Sequence, residues 1–338
     1  MQLDQIDHLP RSLAHLRPER VRSVFPNPTL IRLTGDRPEP LVLSTLLHGN
    51  ETTSLEVLKH LQRRYESAPL PRSLMIFVGN VRATEQGLRH LPGEMDFNRI
   101  WAGGDSPAHA LAQQVQEAAM GVSPFASIDI HNNTGTNPIY GCVNTLRPAD
   151  LDLAARFAPL GVFYLNPATT QSVAFSKICP AITLECGRSG DVEGLMAAIE
   201  LVETIMRLDH FADHPPDPRS LRLFETVGRV EIVPDCTFRF DPKPADLNFD
   251  AGLEDLNFQP LPAGACLALT SRPHLPLRVV DEHGADLTSD FLELQTGQIR
   301  LTQGLTPAMI TTDVTNIRQD CLCYFMRQRP LPERSGSV

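Results

Sequence analysis

Leu41-Val42-Leu43-Ser44-Thr45-Leu46-Leu47-His48-Gly49-Asn50-Glu51 decides how this chain folds and where its chemistry sits. The apolar run at residues 41–47 reads as a buried strand. The stretch that follows, residues 51–66, repeats Leu55, Leu58, Leu61 and Tyr65 every three or four residues, the spacing of one helix face. His48-Gly49-Asn50-Glu51 therefore occupies a strand-to-helix turn. An imidazole and a carboxylate three residues apart at such a turn can converge on one metal ion. Of the eleven histidines, only His48 has Glu three residues on.

The same two periods alternate over residues 20–210. Short runs rich in Val, Ile, Leu and Phe at 74–78, 126–130 and 181–184 read as further strands. Ser106-Pro107 is a good helix start, with Ser as N-cap and Pro at the first helical position, and it leads into Leu111, Val115 and Ala118. Val192, Leu195, Ile199, Val202 and Met206 mark a later helix. Strands alternating with helices imply an α/β layer built on a mixed, largely parallel sheet flanked by helices. The run His214-Pro215-Pro216-Asp217-Pro218 cannot continue a helix. Beyond it, short apolar runs at 227–233, 266–269, 277–280 and 308–312 are separated by turn residues such as Gly284, Gly297 and Gly304. The expected organisation is a catalytic domain over residues 1–212, a small β-rich domain over 217–330 and a tail over 331–338.

Composition narrows the class. The 338 residues are 42% hydrophobic and 21% charged, ordinary for a soluble globular protein. The net charge of -10 and the lack of a basic run argue against nucleic acid as a partner. The seven cysteines include no CxxC pair, which favours buried reduced thiols over a disulfide framework. No secretory leader pattern begins the chain, and no stretch nears the roughly 20 apolar residues that span a bilayer. A cytoplasmic protein without a membrane partner is expected. A homo-oligomer is compatible with the sequence.

Ligands of open α/β sheets bind beyond the carboxyl ends of the strands. His48 lies just past one strand, His131 at the end of a second and Glu185 at the end of a third. Two His and one Glu are the ligand type of a catalytic zinc that keeps a position open. His48, Glu51 and His131 are thus the expected ligands of one Zn2+ per chain. For each ligand the bland alternative is chance, or a polar core residue whose bonds are satisfied. Asp129, two residues before His131, shares its strand face and can hold the imidazole in one tautomer. Glu185 is the candidate general base, its alternative being a carboxylate that caps the next helix or pairs with an Arg. Arg89, Asn98 and Arg99 form a polar cluster suited to a substrate carboxylate, or else a set of surface ion pairs.

Taken together and in this order, His48-Gly49-Asn50-Glu51, Asp96-Phe97-Asn98-Arg99, Asp129-Ile130-His131-Asn132-Asn133-Thr134 and Glu185-Cys186-Gly187 resemble the succinylglutamate desuccinylase/aspartoacylase family of zinc-carboxypeptidase-like hydrolases. The resemblance spans about residues 40–210. It implies a zinc-dependent hydrolase that cuts an amide bond beside a carboxylate, on a carboxypeptidase-like α/β domain followed by a small β-rich domain. His48, Glu51 and His131 match the family's metal ligands and Glu185 its catalytic glutamate. Arg89 looks like its carbonyl-polarising arginine, and Asn98 with Arg99 like the pair that binds substrate carboxylate. Aspartoacylase has Arg where Thr169-Thr170-Gln171-Ser172 has Gln171. Gln171, read as substrate-binding, can donate a hydrogen bond but carries no charge, so an amino acid with a neutral or differently placed side chain fits as well as N-acetylaspartate.

The reading is a zinc-dependent amidohydrolase that releases the acyl group of an N-acyl amino acid, a small carboxylate-bearing substrate. Its rivals are a metallocarboxypeptidase acting on a short peptide or modified amino acid, and a non-catalytic ligand-binding protein on the same scaffold. The presence of Glu185 speaks against the last, because binding alone needs no general base.

Overall fold

A computed structural model describes residues 1–333. Residues 334–338, most of the expected tail, lie outside the described residues. The chain divides into two units, one of Met1–Asn132 and Ile139–Leu223 with the residues from Pro330, the other of Asn133–Pro138 and Phe224–Arg329.

The first unit runs β1 (Asp4–Ile6), β2 (Thr29–Leu33), β3 (Arg37–Thr45), α1 (Thr53–Tyr65), β4 (Arg72–Val78), α2 (Val81–Gln86), α3 (Pro107–Met120), β5 (Ala126–His131), β6 (Tyr140–Val143), α4 (Pro148–Phe157), β7 (Leu160–Phe163), α5 (Gln171–Phe175), β8 (Ala181–Glu185) and α6 (Val192–Arg207). Its sheet has the order β1-β2-β4-β3-β5-β8-β6-β7. The central strands β4, β3, β5 and β8 are parallel. β2 joins β4, and β6 joins β8, antiparallel. This is the mixed, largely parallel sheet that the sequence implied.

Both faces of the sheet are covered, which is why its strands read as near-continuous apolar runs. Leu41, Leu43, Ile76, Ile128, Ile130 and Ile182 pack in one core with Leu55, Leu58 and Leu61 of α1 and with Leu201, Val202 and Ile205 of α6. Val42, Phe77 and Ala181 face the other way, onto Leu111 and Val115 of α3 and Phe175 of α5. Each large side chain so buried contributes about 1.5–3 kcal/mol relative to an exposed one. α3 starts where expected: Ser106 Oγ accepts from the His109 N–H at 3.3 Å, and Pro107 stands at the first position. Strand β3 stops at Thr45, two residues short of the apolar run. Leu46 takes the left-handed conformation (φ 54°), and its N–H donates to Ser54 Oγ at 3.1 Å.

In the second unit, β9 (Arg222–Ile232), β10 (Phe238–Arg239), β11 (Leu247–Asn248), β12 (Cys266–Thr270), β13 (Leu277–Val280), β14 (Leu292–Gln295), β15 (Gln298–Leu301), β16 (Thr306–Ala308) and β17 (Cys323–Arg329) make this part β-rich. β9 pairs with β13 and β17, and β17 with β16. The second sheet has the order β10-β11-β12-β15-β14. Val230, Leu247, Ile299 and Phe325 lie in one core of this unit. The apolar run at 308–312 is not a strand. Met309 turns left-handed (φ 57°), and the N–H groups of Met309 and Ile310 go to Asn137 Oδ1 (3.0 Å) and Asn257 Oδ1 (2.8 Å). All seven cysteines are free, six of them buried and Cys266 exposed. Among the described residues no helix is long and apolar enough to cross a membrane.

Asn133–Pro138 belongs to the second unit because Glu254 binds it there. Glu254 Oε2 accepts from the N–H and Oγ1 of Thr136 at 2.8 and 3.0 Å. Oε1 accepts from the N–H and Oγ1 of Thr312 at 2.7 and 2.9 Å. Burial pushes this carboxyl up, but the four hydrogen bonds outweigh it and hold it below its ordinary value. A depressed folded-state value means that the stabilisation is complete above the ordinary carboxyl value and fades as pH falls through the lower one. Glu254→Gln, which turns one acceptor oxygen into a donor, is expected to cost about 1–3 kcal/mol at pH 7. In urea unfolding from pH 7 to 3.5, the gap between variant and wild type should narrow only below about 4.5.

Candidate active site

The period of two along β5 sets the site. Ile128 and Ile130 point into the apolar core, so Ser127, Asp129 and His131 share the opposite face. His131 stands directly across from Glu185, the last residue of β8. One strand further, β3 delivers the turn that carries His48 and Glu51. His48, Glu51 and His131 are all buried, and one ligand atom from each lies within 4.8 Å of the others.

The donor atoms face inward. His48 Nδ1 and His131 Nδ1 each lie 2.7 Å from a different oxygen of Glu51, and 3.2 Å from each other. Their outer nitrogens are held by carboxylates: His131 Nε2 by Asp129 Oδ2 at 2.8 Å, and His48 Nε2 by Asp96 Oδ1 at 2.9 Å. A carboxylate on Nε2 fixes the proton there and leaves the Nδ1 lone pair turned to the site. Two lone pairs and a carboxylate aimed at one point are a donor set for a cation, so the residues fit a metal. Imidazole and carboxylate suit zinc among divalent ions.

The charges agree. Burial pushes Glu51 up, but His48 and His131 outweigh it and hold the carboxyl well below the usual range. Burial also raises Asp96, and again His48, with Arg89 and Arg99, brings it far below. Burial lowers His131, yet Asp129 and Glu51 hold its imidazole well above its ordinary value. Burial pushes the Glu185 carboxyl up to about 8, with the charges of His131 and Arg89 pulling against those of Glu51 and Asp129.

Arg89 joins the cluster. Its Nε and Nη2 donate to Asp96 Oδ2 at 3.2 and 3.1 Å, and its Nη1 lies 3.6 Å from Glu51 Oε1. Asn98 is buried. Its Nδ2 lies 3.4 Å from His131 Nε2, and its Oδ1 accepts from the Gln171 N–H at 2.9 Å. Arg99 Nη1 donates to the Asn98 carbonyl at 3.0 Å. Gln171 is fully buried at the start of α5. Its Nε2 donates to Ser127 Oγ at 2.9 Å, behind His131 on the same face of β5.

A sequence model of the succinylglutamate desuccinylase/aspartoacylase catalytic domain matches residues 39–208, half of the chain. The chain belongs to the succinylglutamate desuccinylase/aspartoacylase family. It is by that membership a hydrolase of amide bonds. No curated protein matches it in sequence. Among solved structures, the succinylglutamate desuccinylase of Chromobacterium violaceum is similar at 18% identity and TM-score 0.59, over 90% of this chain and 89% of that one. A succinylglutamate desuccinylase/aspartoacylase of Rhodobacter sphaeroides is similar at 14% identity and TM-score 0.60, over 88% of each chain. Murine aminoacylase 3 follows at 15% identity and TM-score 0.58, over 88% of this chain and 97% of that one. At these identities the likeness is one of fold.

Sequence reasoning quoted Asp96 in the Asp96-Phe97-Asn98-Arg99 motif but gave it no role. It joins His48 Nε2 to the Arg89 guanidinium. The signal was its position two residues before Asn98, whose N–H donates to Asp96 Oδ1 at 2.7 Å. Gly49 of the opening turn also gains a reason. A Cβ there would stand 2.2 Å from Thr84 N and 2.6 Å from Leu88 O, against the backbone of α2 and its exit. The Gly49 N–H donates to the Arg89 carbonyl at 3.1 Å, so the missing side chain lets the Arg89 loop close on the turn. Gly49→Ala must push these segments apart. A stability loss of about 1–3 kcal/mol or more is expected in urea unfolding.

Proposed function

We propose that this family member is a zinc-dependent amidohydrolase that releases the acyl group of an N-acyl amino acid. The observation that carries the proposal is the inward pair of Nδ1 atoms with Glu51 between them, each imidazole backed by a carboxylate, beside Glu185. The names of the similar structures, desuccinylase, aspartoacylase and aminoacylase, point to the same substrate class. His48, Glu51 and His131 would hold the zinc, one per chain. When bound, zinc supplies a Lewis acid that lowers the pKa of water and polarises a carbonyl.

The chain's residues divide the remaining work. Asp96 and Asp129 keep both imidazoles in the Nε2–H tautomer. Glu185 is the general base: the charge of a bound zinc would offset the burial that raises it, and its ionised carboxylate takes a proton from the attacking water as the oxygen–carbon bond forms. It returns that proton to the amide nitrogen as the carbon–nitrogen bond breaks, giving a carboxylate and an amine. The Arg89 guanidinium, held by Asp96, faces the oxygen that gains charge on the carbonyl. Asn98 and Arg99 hold the substrate carboxylate. Gln171 serves the substrate end by fixing Asn98 through its own N–H.

The test is hydrolysis of N-acetyl, N-succinyl and peptidyl substrates with and without a chelator. Chelation should abolish turnover and added zinc restore it. Glu185→Gln should lower kcat by about 10²–10⁴-fold while zinc content stays at one per chain. His131→Ala should lose zinc. Asp96→Ala and Asp129→Ala should each weaken zinc by about 10–100-fold in chelator competition. Wild-type turnover in Glu185→Gln would remove that residue from the mechanism. Faster cleavage of dipeptides than of N-acyl amino acids would make the protein a carboxypeptidase.

A further inference from the structure

Three separate segments carry the metal-binding and base candidates: the turn from His48 to Thr53, the end of β5 and the exit of β8. Asn132, the residue after His131, meets all of them. Its Oδ1 accepts from the Thr53 N–H at 3.2 Å, and its Nδ2 donates to Thr53 Oγ1 at 2.9 Å. The same Nδ2 donates to the carbonyl of Gly187, two residues beyond Glu185, at 3.0 Å. Its backbone N–H donates to Glu51 Oε2 at 3.1 Å. Ser189 completes the set. Its Oγ accepts from the Thr52 N–H at 3.2 Å, and its single hydrogen is shared between the Asn50 carbonyl (2.9 Å) and Asn132 Oδ1 (3.2 Å). The side-chain amide of Asn132 thereby uses its two acceptor sites and both donors.

These bonds bracket Glu51 from both sides. The Asn50 carbonyl and the Thr52 N–H go to Ser189, and the Glu51 carboxylate receives the Asn132 N–H. They also replace a missing local cap, since the Thr52 side chain makes no cap hydrogen bond to α1. The bonds of Asn132 are buried and those of Ser189 lie on an exposed turn, and a network whose groups are satisfied is stiffer than its separate bonds. The geometry points to Asn132 and Ser189 as positioning residues, a clasp that aims Glu51 at the metal and sets the distance from that ligand to Glu185. The inference rests on the metal-hydrolase reading above. Neither residue touches the reacting atoms. Both act through Glu51 and the Glu185 turn.

A mere helix cap would stabilise α1 and leave zinc binding alone. The deciding measurement is therefore the zinc dissociation constant, from chelator competition, beside the melting temperature of the zinc-free protein. Asn132→Ala should weaken zinc by about 10–100-fold. It should lower kcat by about 100-fold, the cost of a catalytic group displaced by an ångström. Ser189→Ala should shift both in the same direction by less, and Ser189→Thr, which keeps the hydroxyl, should recover them. Should Asn132→Ala fail to fold, Ser189→Ala on its exposed turn carries the same test. Variants that melt earlier without zinc yet bind it as tightly as wild type would overturn the clasp alone. A wild-type protein that binds no zinc would overturn the metal reading, and the clasp with it.

Discussion

Two imidazole nitrogens turned toward each other at 3.2 Å, with a carboxylate against both, form the constraint on which the rest of the site depends. Such a set is stable in a buried place only if positive charge sits among it. Glu51, Asp96 and Asp129 bring three carboxylates, and Arg89 brings one guanidinium in contact with two of them. The excess of negative charge raises His131 well above its ordinary value, and it would attract a divalent ion. Asp96 and Asp129 decide which nitrogen of each ring is offered. Without them each ring could turn its N–H inward and would have no lone pair to offer a cation.

The sheet supplies this constraint. A strand buried on both faces should be apolar throughout, and β5 is so only on the face of Ile128 and Ile130. On the other face Ser127, Asp129 and His131 follow one another, and α5 meets them with a glutamine. Ser44, Asp129 and Thr183 fall in one row across β3, β5 and β8, and His131 and Glu185 in a parallel one. The polar rows lie near the carboxyl ends, where ligands of such sheets bind. The apolar face holds β5 in place, so the polar face is free to carry chemistry.

What could be read from the sequence follows from how local each signal is. His48 and Glu51 were legible because strand and helix periods meet at their turn, and His131 with Asp129 because a strand puts alternate residues on one face. The end of β3 was misjudged because Leu46 and Leu47 are apolar, whereas the turn needs Leu46 left-handed. Asp96 sits in an irregular loop without a period to say where it points. Asn132 and Ser189 act through contacts between residues 55 to 139 positions apart, and the bonds of Glu254 to Thr136 and Thr312 span 118 and 58. No pattern within one segment encodes such pairs. They exist only once the sheet has brought the strand ends together.

Gln171 shows how a single exchange reaches the substrate. Its side chain is fully buried, its Nε2 is spent on Ser127, and its backbone N–H donates to the side-chain Oδ1 of Asn98. A guanidinium in the same dry place would need a carboxylate partner, and Ser127 offers only a hydroxyl. The neutral amide costs less there than a charge would, although its Oε1 is left without a partner. In the proposed reaction the positive charge for the substrate then comes from the other side of Asn98. Arg89 is bound to Asp96, and Arg99 reaches the Asn98 carbonyl. Arg99 is thus the guanidinium that the proposal assigns to the substrate carboxylate, and Gln171, fully buried, adds no second charge.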